Sequence, residues 1–267
     1  MMKDIDILIF SGQSNMQGQS DMLSDCACVE NAYEFKFIDN CFVPLKNPIG
    51  ENIRYDKTAG YAVMPDTDIP KWLDEHVLGA SCYGNTNLVP EFCRSYIKET
   101  GRTVLAVHCA KGSTIISSWI NSSPMYNMLT EKALAAIKLA QESGYNIKHI
   151  FFIWLQGESD AICGVKKDEY KERLYSLYNS LKSDLDISKF GIIKVGHFTH
   201  DEKDLEIMSA QEEVCDEDNN FVMLTDIAPQ LSLDPDYLHP YIAGHYNAKG
   251  LERLGSEAGK MLGKSSV

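Results

Sequence analysis

Five short apolar runs recur along the chain at nearly even intervals: Ile5 to Phe10, Thr103 to Cys109, His149 to Leu155, Gly191 to His197 and Phe221 to Asp226. Apolar runs of this length, without polar alternation, are the pattern of parallel strands covered on both faces. Between and after them lie segments with helical spacing, roughly Pro90 to Glu99, Tyr126 to Glu142, Asp168 to Leu185, Glu202 to Asp216 and Ile242 to Leu262. In the second of these, Ala133, Ile137 and Ala140 share one face, while Glu131, Lys132 and Lys138 point elsewhere and Gly144 supplies the stop. In the third, Asp168 is placed to cap the helix, and Leu174, Leu177, Tyr178 and Leu181 form its core stripe. Strands alternating with helices predict a doubly wound α/β sheet.

The rhythm breaks from Gln19 to Leu88, a stretch longer than a compact domain normally uses for one connection. Within it, Tyr33 to Phe37 and Phe42 to Leu45, separated by Asp39-Asn40, predict a hairpin. Pro48, Gly50, Gly60, Pro65 and Pro70 mark irregular chain. The stretch reads as an insertion roofing one end of the sheet. With no internal repeat or low-complexity linker, residues 1–267 read as a single domain carrying an insertion at about 19–88.

Composition narrows the function. At 267 residues, 44% hydrophobic and 24% charged, the chain can bury one substantial core. A net charge of -13 repels phosphate backbones and anionic lipid surfaces, which argues against nucleic acid or a membrane as partner. No signal-like leader and no apolar run long enough to span a bilayer is visible, so a soluble, cytoplasmic protein is expected. Its eight cysteines are then expected as free thiols. No pair spaced C-x-x-C and no H-E-x-x-H helix occurs, so neither a metal nor another cofactor is expected. The sequence sets no oligomeric state.

Ligands of open α/β sheets bind beyond the carboxyl ends of the strands, and here those ends are polar. The first leads into Ser11-Gly12-Gln13-Ser14-Asn15-Met16, which fits either a presented nucleophile or a turn capping a helix. The second leads into Lys111-Gly112-Ser113-Thr114, where Gly112 can turn a backbone N–H toward an oxyanion. The third leads into Gln156-Gly157-Glu158-Ser159-Asp160, with Gln156 as a side-chain donor and Glu158 and Asp160 too few to ligate a hard cation. Near the C-terminus Asp236 and His239 stand three residues apart, close enough for an acid to orient an imidazole that takes a serine proton.

SGQSNMQG, HCAKGSTIISSW, WLQGESDA and DYLHP occur in an order that resembles the SGNH-hydrolase superfamily, specifically the sialate O-acetylesterase-like domains of carbohydrate esterase family six. The resemblance runs from Ile5 to about Gly255. It implies a three-layer α/β/α flavodoxin-like fold with a five-stranded parallel sheet, and a serine esterase that removes acetyl groups from a carbohydrate. In that reading Ser14 attacks, His239 is the base, Asp236 orients His239, and Ser14, Gly112 and Gln156 form the oxyanion hole. Gln13, Asn15 and Glu158 would support the site or bind substrate, with Glu158 able to share the role of Asp236. Related sequences carry a glycine pair before the threonine, whereas this chain has Gly112-Ser113-Thr114. Tyr61 and Trp119 are candidates for sugar contact. Two other readings stand beside this one, a general short-chain carboxylesterase and a catalytically silent carbohydrate-binding relative. A nucleotide binder on the same sheet would need a phosphate loop, and SGQSNMQG has the spacing of none.

Overall fold

All five apolar runs form strands of one parallel array, and a hairpin adds two more strands at one edge. A computed structural model describes residues 3–24, 27–51 and 85–266. In chain order it contains β1 (Lys3–Gly12), α1 (Ser14–Gln17), β2 (Ala32–Lys36), β3 (Cys41–Pro44), α2 (Val89–Thr100), β4 (Thr103–Ala110), α3 (Pro124–Glu142), β5 (Tyr145–Leu155), α4 (Glu158–Cys163), α5 (Lys167–Leu185), β6 (Lys189–Ile193), α6 (Glu202–Glu217), β7 (Phe221–Thr225), α7 (Ala228–Leu231) and α8 (Ala248–Ser265). One-turn 3-10 segments lie at Ile116–Trp119 and Pro235–Tyr237.

The sheet order is β3-β2-β4-β1-β5-β6-β7, seven strands rather than five. The extra pair is the hairpin predicted at Asp39-Asn40. It does not roof the sheet: β2 pairs in parallel with β4, and β3 closes that edge antiparallel to β2. Period-two residues on a hairpin and residues on a sheet edge look alike in sequence, so only tertiary pairing separates the two placements.

The layers follow from the apolar runs. Ile5, Ile7, Leu8, Ile9 and Phe10 of β1 are fully buried, as are Val104 to Val107 of β4 and Phe152 to Leu155 of β5. Each such side chain contributes about 1.5–3 kcal/mol of burial. α2 and α8 pack against each other over one face, while α3, α5 and α6 follow one another across the other. The α2–α8 approach is close because α8 has glycines where it meets α2: a Cβ on Gly255 would overlap the Leu88 carbonyl, and one on Gly259 the Phe92 carbonyl.

One expected surface residue turns inward. Lys132 of α3 is buried, and its Nζ lies 2.6 Å from Glu51 Oε2. The same carboxylate accepts from the Phe37 and Ile38 N–H groups at 2.8 and 2.9 Å, so the chain after the hairpin is tied to the helix layer by one ion pair. Removing one partner of such a pair typically costs about 3–5 kcal/mol, because the other charge is left buried.

The register sets the site. Gly12 at the end of β1 pairs with Ala110 of β4 on one side and with Leu155 of β5 on the other, so the three chains leave the sheet at one level. β1 is followed leftward by β4 and rightward by β5, which makes this the point where the connections reverse and a crevice opens.

Candidate active site

The turn after β1 is shaped by two residues. Gly12 sits at φ 146°, and a Cβ there would overlap the Leu155 carbonyl oxygen, so only glycine passes between the strands. Gly18 then closes the one-turn helix α1 in the left-handed conformation at φ 87°. Between them Gln13, Ser14 and Asn15 are buried at the sheet's edge. Ser14 heads α1, where a backbone N–H has no partner within the helix.

Gly112 lies beside the nucleophile candidate: a Cβ built on it would stand 3.4 Å from the Ser14 Cβ. Its N–H donates to Gln17 Oε1 at 2.9 Å, so a side-chain carbonyl of α1 occupies the donor expected for an oxyanion. The same Gln17 oxygen accepts from Gln19 Nε2 at 3.2 Å.

Gln156 does not serve as the third oxyanion donor. Its Nε2 is fully buried and donates to Asp160 Oδ2 at 2.5 Å, to the Thr114 carbonyl at 2.9 Å and to Gln13 Oε1 at 3.2 Å, which exhausts its protons. Tyr170 completes the network by donating to Gln156 Oε1 at 3.0 Å. Burial pushes the Asp160 carboxyl up to about 6, against the hydrogen bonds from Gln156 and the Ile116 N–H that favour its charge. Gln13 Oε1 also accepts from the Ser159 N–H at 3.1 Å, so Gln13 joins the turn after β1 to the start of α4.

Asp236 and His239 do not form a pair. Asp236 is exposed, and its hydrogen bonds run through its backbone, the N–H to Asp234 Oδ1 and the carbonyl from Asn247 Nδ2. His239 Nδ1 accepts from the Tyr241 and Ile242 N–H groups, each at 3.0 Å. A neutral ring so held carries its proton on Nε2, the wrong tautomer for taking a proton from serine at that atom.

A second histidine has the arrangement that His239 lacks. His245 Nδ1 lies 2.9 Å from the Ala243 carbonyl, which can only accept, so the proton is on Nδ1 and Nε2 carries the lone pair. That Nε2 is buried and has no partner. Burial lowers the His245 pKa, only partly opposed by the bond to Ala243. Asn15 ties the backbone on either side of His245 to the turn that carries Ser14: its Nδ2 donates to the Gly244 carbonyl at 3.2 Å and its Oδ1 accepts from the Tyr246 N–H at 3.2 Å. Phe198, in the loop after β6, packs its ring 6.3 Å from the imidazole and against Gly244.

Glu158 belongs to this cluster through Asn15. Its Oε1 accepts from Asn15 Nδ2 at 2.8 Å, while Oε2 is buried without a partner. Neither oxygen bonds a histidine. Desolvation raises its pKa, the Asn15 bond opposes that, and the Asp204 charge adds to it. Of the candidates for sugar contact, Trp119 is fully buried, donating to Thr114 Oγ1 and packed edge-on against Trp154, and Tyr61 lies outside the described residues.

His245 had a sequence signal. Asn247 is a favoured helix N-cap residue, and its side chain accepts from the Gly250 N–H at 2.9 Å. The last helix therefore starts at Ala248, leaving His245 in a loop rather than on the helix expected from Ile242. Among the described residues no group of three or more His, Cys, Asp or Glu side chains is arranged to hold a metal ion, and no helix is long and apolar enough to cross a membrane.

Comparison with known proteins places the chain in a family. The family described as carbohydrate esterase, sialic acid-specific acetylesterase matches residues 4–262. An Arabidopsis thaliana protein named "Probable carbohydrate esterase" is 30% identical over 98 residues, which is 36% of this chain. That sequence match spans 35% of the relative's length. The X-ray structure of the Arabidopsis protein superposes at a TM-score of 0.67 with 18% identity, covering 97% of this chain and 98% of the other. NanS matches at 0.61 and 14%, covering 100% and 98%. A carbohydrate acetylesterase from Xanthomonas citri matches at 0.53 and 12%, covering 97% of this chain and 57% of that one. At these identities the structural likeness establishes the shared α/β fold.

Proposed function

We propose, since the chain belongs to the sialic acid-specific acetylesterase family of carbohydrate esterases, that it removes acetyl groups from sugar hydroxyls, with Ser14 as nucleophile and His245 as general base. The observation that carries this reading is the buried, unpartnered Nε2 of His245, fixed in the accepting tautomer on a loop that Asn15 ties to the turn carrying Ser14. A buried nitrogen left without a partner is uncommon in folded proteins, and a role in proton transfer accounts for it.

The chemistry needs no added group. Ser14 Oγ attacks the acetyl carbonyl as its proton passes to His245 Nε2, and the tetrahedral oxyanion collapses with that proton going to the departing sugar oxygen. Water then attacks the acetyl-serine, His245 again taking the proton, and acetate leaves. The Ala243 carbonyl on Nδ1 does the orienting that a carboxylate does in a triad. The Ser14 and Gly112 N–H groups receive the oxyanion, and the ester oxygen takes the position that Gln17 Oε1 holds in the unliganded protein. Each such donor contributes about 3 kcal/mol to the barrier reduction.

Substrate preference tests the sugar-ester reading. Polar residues flank Ser14 along the chain, among them Gln13, Asn15, Gln17 and Gln19, which suits a small acyl group and a hydroxylated leaving group. A long acyl chain would gain about 0.8 kcal/mol per buried methylene only in an apolar groove. With one chromogenic alcohol, kcat/KM is expected to fall steeply from acetyl to butyryl and to be negligible at octanoyl, and acetate release from acetylated sugars to exceed that from alkyl acetates. A rise toward octanoyl would leave a general carboxylesterase; no turnover of any ester would leave a silent binding relative.

The pH dependence follows from the sign of one shift. His245 must be neutral to accept a proton, and burial lowers its pKa below the ordinary 6.5. The active form thus persists into weak acid, and kcat/KM is lost only as pH falls through the lowered value. The midpoint of the acid limb is expected below pH 6.5; a midpoint above about 7 would contradict a buried base.

A further inference from the structure

We propose that the loop from His239 to His245 is a preformed arm whose tip, the ring of Tyr241, is a carbohydrate platform for the apolar face of a pyranose adjoining the acetylated one. This rests on the esterase reading above and adds a specificity-determining residue to it.

The arm is closed at its stem. Leu238 and Tyr246 form an antiparallel bridge, and the His239 N–H donates to the His245 carbonyl at 2.7 Å. Inside the loop, His239 Nδ1 gathers the Tyr241 and Ile242 N–H groups, so the histidine first expected as the base shapes the turn instead. Asn15 fastens the returning limb at the Gly244 carbonyl, next to Ser14.

What this framework holds outward is apolar. Tyr241 is 91% exposed and Ile242 38%, flanked by exposed Pro240 and Ala243. The Tyr241 ring stands at 69° to the His239 ring with 6.1 Å between centroids, and it remains almost wholly open to solvent. Burying such a ring would contribute about 1.5–3 kcal/mol, so a rigid turn that keeps it in water at the rim of a site points to a ligand. Tyr241 stands three positions before Gly244, a backbone span of at most about 11 Å, which keeps the ring within a short ligand's length of the turn that carries Ser14.

The chemistry selects a sugar. One face of a pyranose presents polarised C–H groups, which an aromatic face with its negative quadrupole attracts, while the ring's hydroxyls stay in water or meet the phenol oxygen. Tyrosine offers this surface at low entropic cost, having two side-chain torsions. An acyl chain would need enclosure on several sides, and a single projecting ring supplies one plane.

The test compares a monoacetylated disaccharide of neutral pyranoses with ethyl acetate. Tyr241→Ala is expected to lower the ratio of kcat/KM for the disaccharide over that for ethyl acetate about tenfold, through KM. Tyr241→Trp should restore it. Equal losses on both substrates would make Tyr241 a scaffold of the loop, and an unchanged ratio would remove it from recognition; either result overturns the proposal. If the unaltered protein hydrolysed neither ester, the esterase reading would fail by itself. Titration with the deacetylated disaccharide would then decide the platform, since binding that Tyr241→Ala does not weaken overturns it.

Discussion

Ser14→Ala is expected to reduce kcat for an acetyl ester by about 10⁴-fold or more, because it removes the only atom that forms the acyl-enzyme. The substitution deletes one oxygen at a turn whose backbone is set by Gly12 and Gly18, and no core volume. The urea midpoint should therefore stay close to that of the unaltered protein, separating lost chemistry from lost structure. Activity within tenfold of the unaltered level, measured as acetate release, would remove Ser14 from the mechanism.

The second large effect falls on His245. His245→Ala should lower kcat nearly as far as Ser14→Ala, and the double variant little further, since a nucleophile and its base act as one unit. His239→Ala should cost far less. It deletes an acceptor for two backbone N–H groups of an exposed loop, while His245 and the Asn15 tie beside it stay in place. Steady-state kinetics on one acetyl ester checks both, and the reverse order of losses would return the base to His239.

The sheet could be read from the chain because both-face burial leaves a direct trace, apolar runs such as Ile5 to Phe10 and Thr103 to Cys109. The turn after β1 left a trace as well: the polar run Ser11-Gly12-Gln13-Ser14-Asn15 follows the apolar strand, and Gly12 stands where any side chain would strike the Leu155 carbonyl. Functions that depend on a partner distant in sequence left none. Gln156 looks like a free amide at a strand end, and only the fold brings Gln13, Thr114 and Asp160 onto it. Lys132 occupies a polar position of a helical pattern, yet Glu51 draws it inward. His245 was hidden by a boundary. Apolar spacing from Ile242 suggests a helix that would swallow His245, whereas Gly244 at φ 70° and the Asn247 cap delay the helix by six residues, to Ala248. Asp236 and His239, three residues apart in sequence, are not bonded to each other: the acid faces solvent and the His239 ring accepts from two N–H groups of its own loop.

A phosphonate ester that traps activated serines, read by intact-protein mass spectrometry, tests Ser14 and His245 directly. The expected result is a single adduct that maps to the peptide containing Ser14, absent from Ser14→Ala, formed far more slowly in His245→Ala and at close to the normal rate in His239→Ala. An adduct that persists in Ser14→Ala, or labelling that depends on His239 and not on His245, would contradict it.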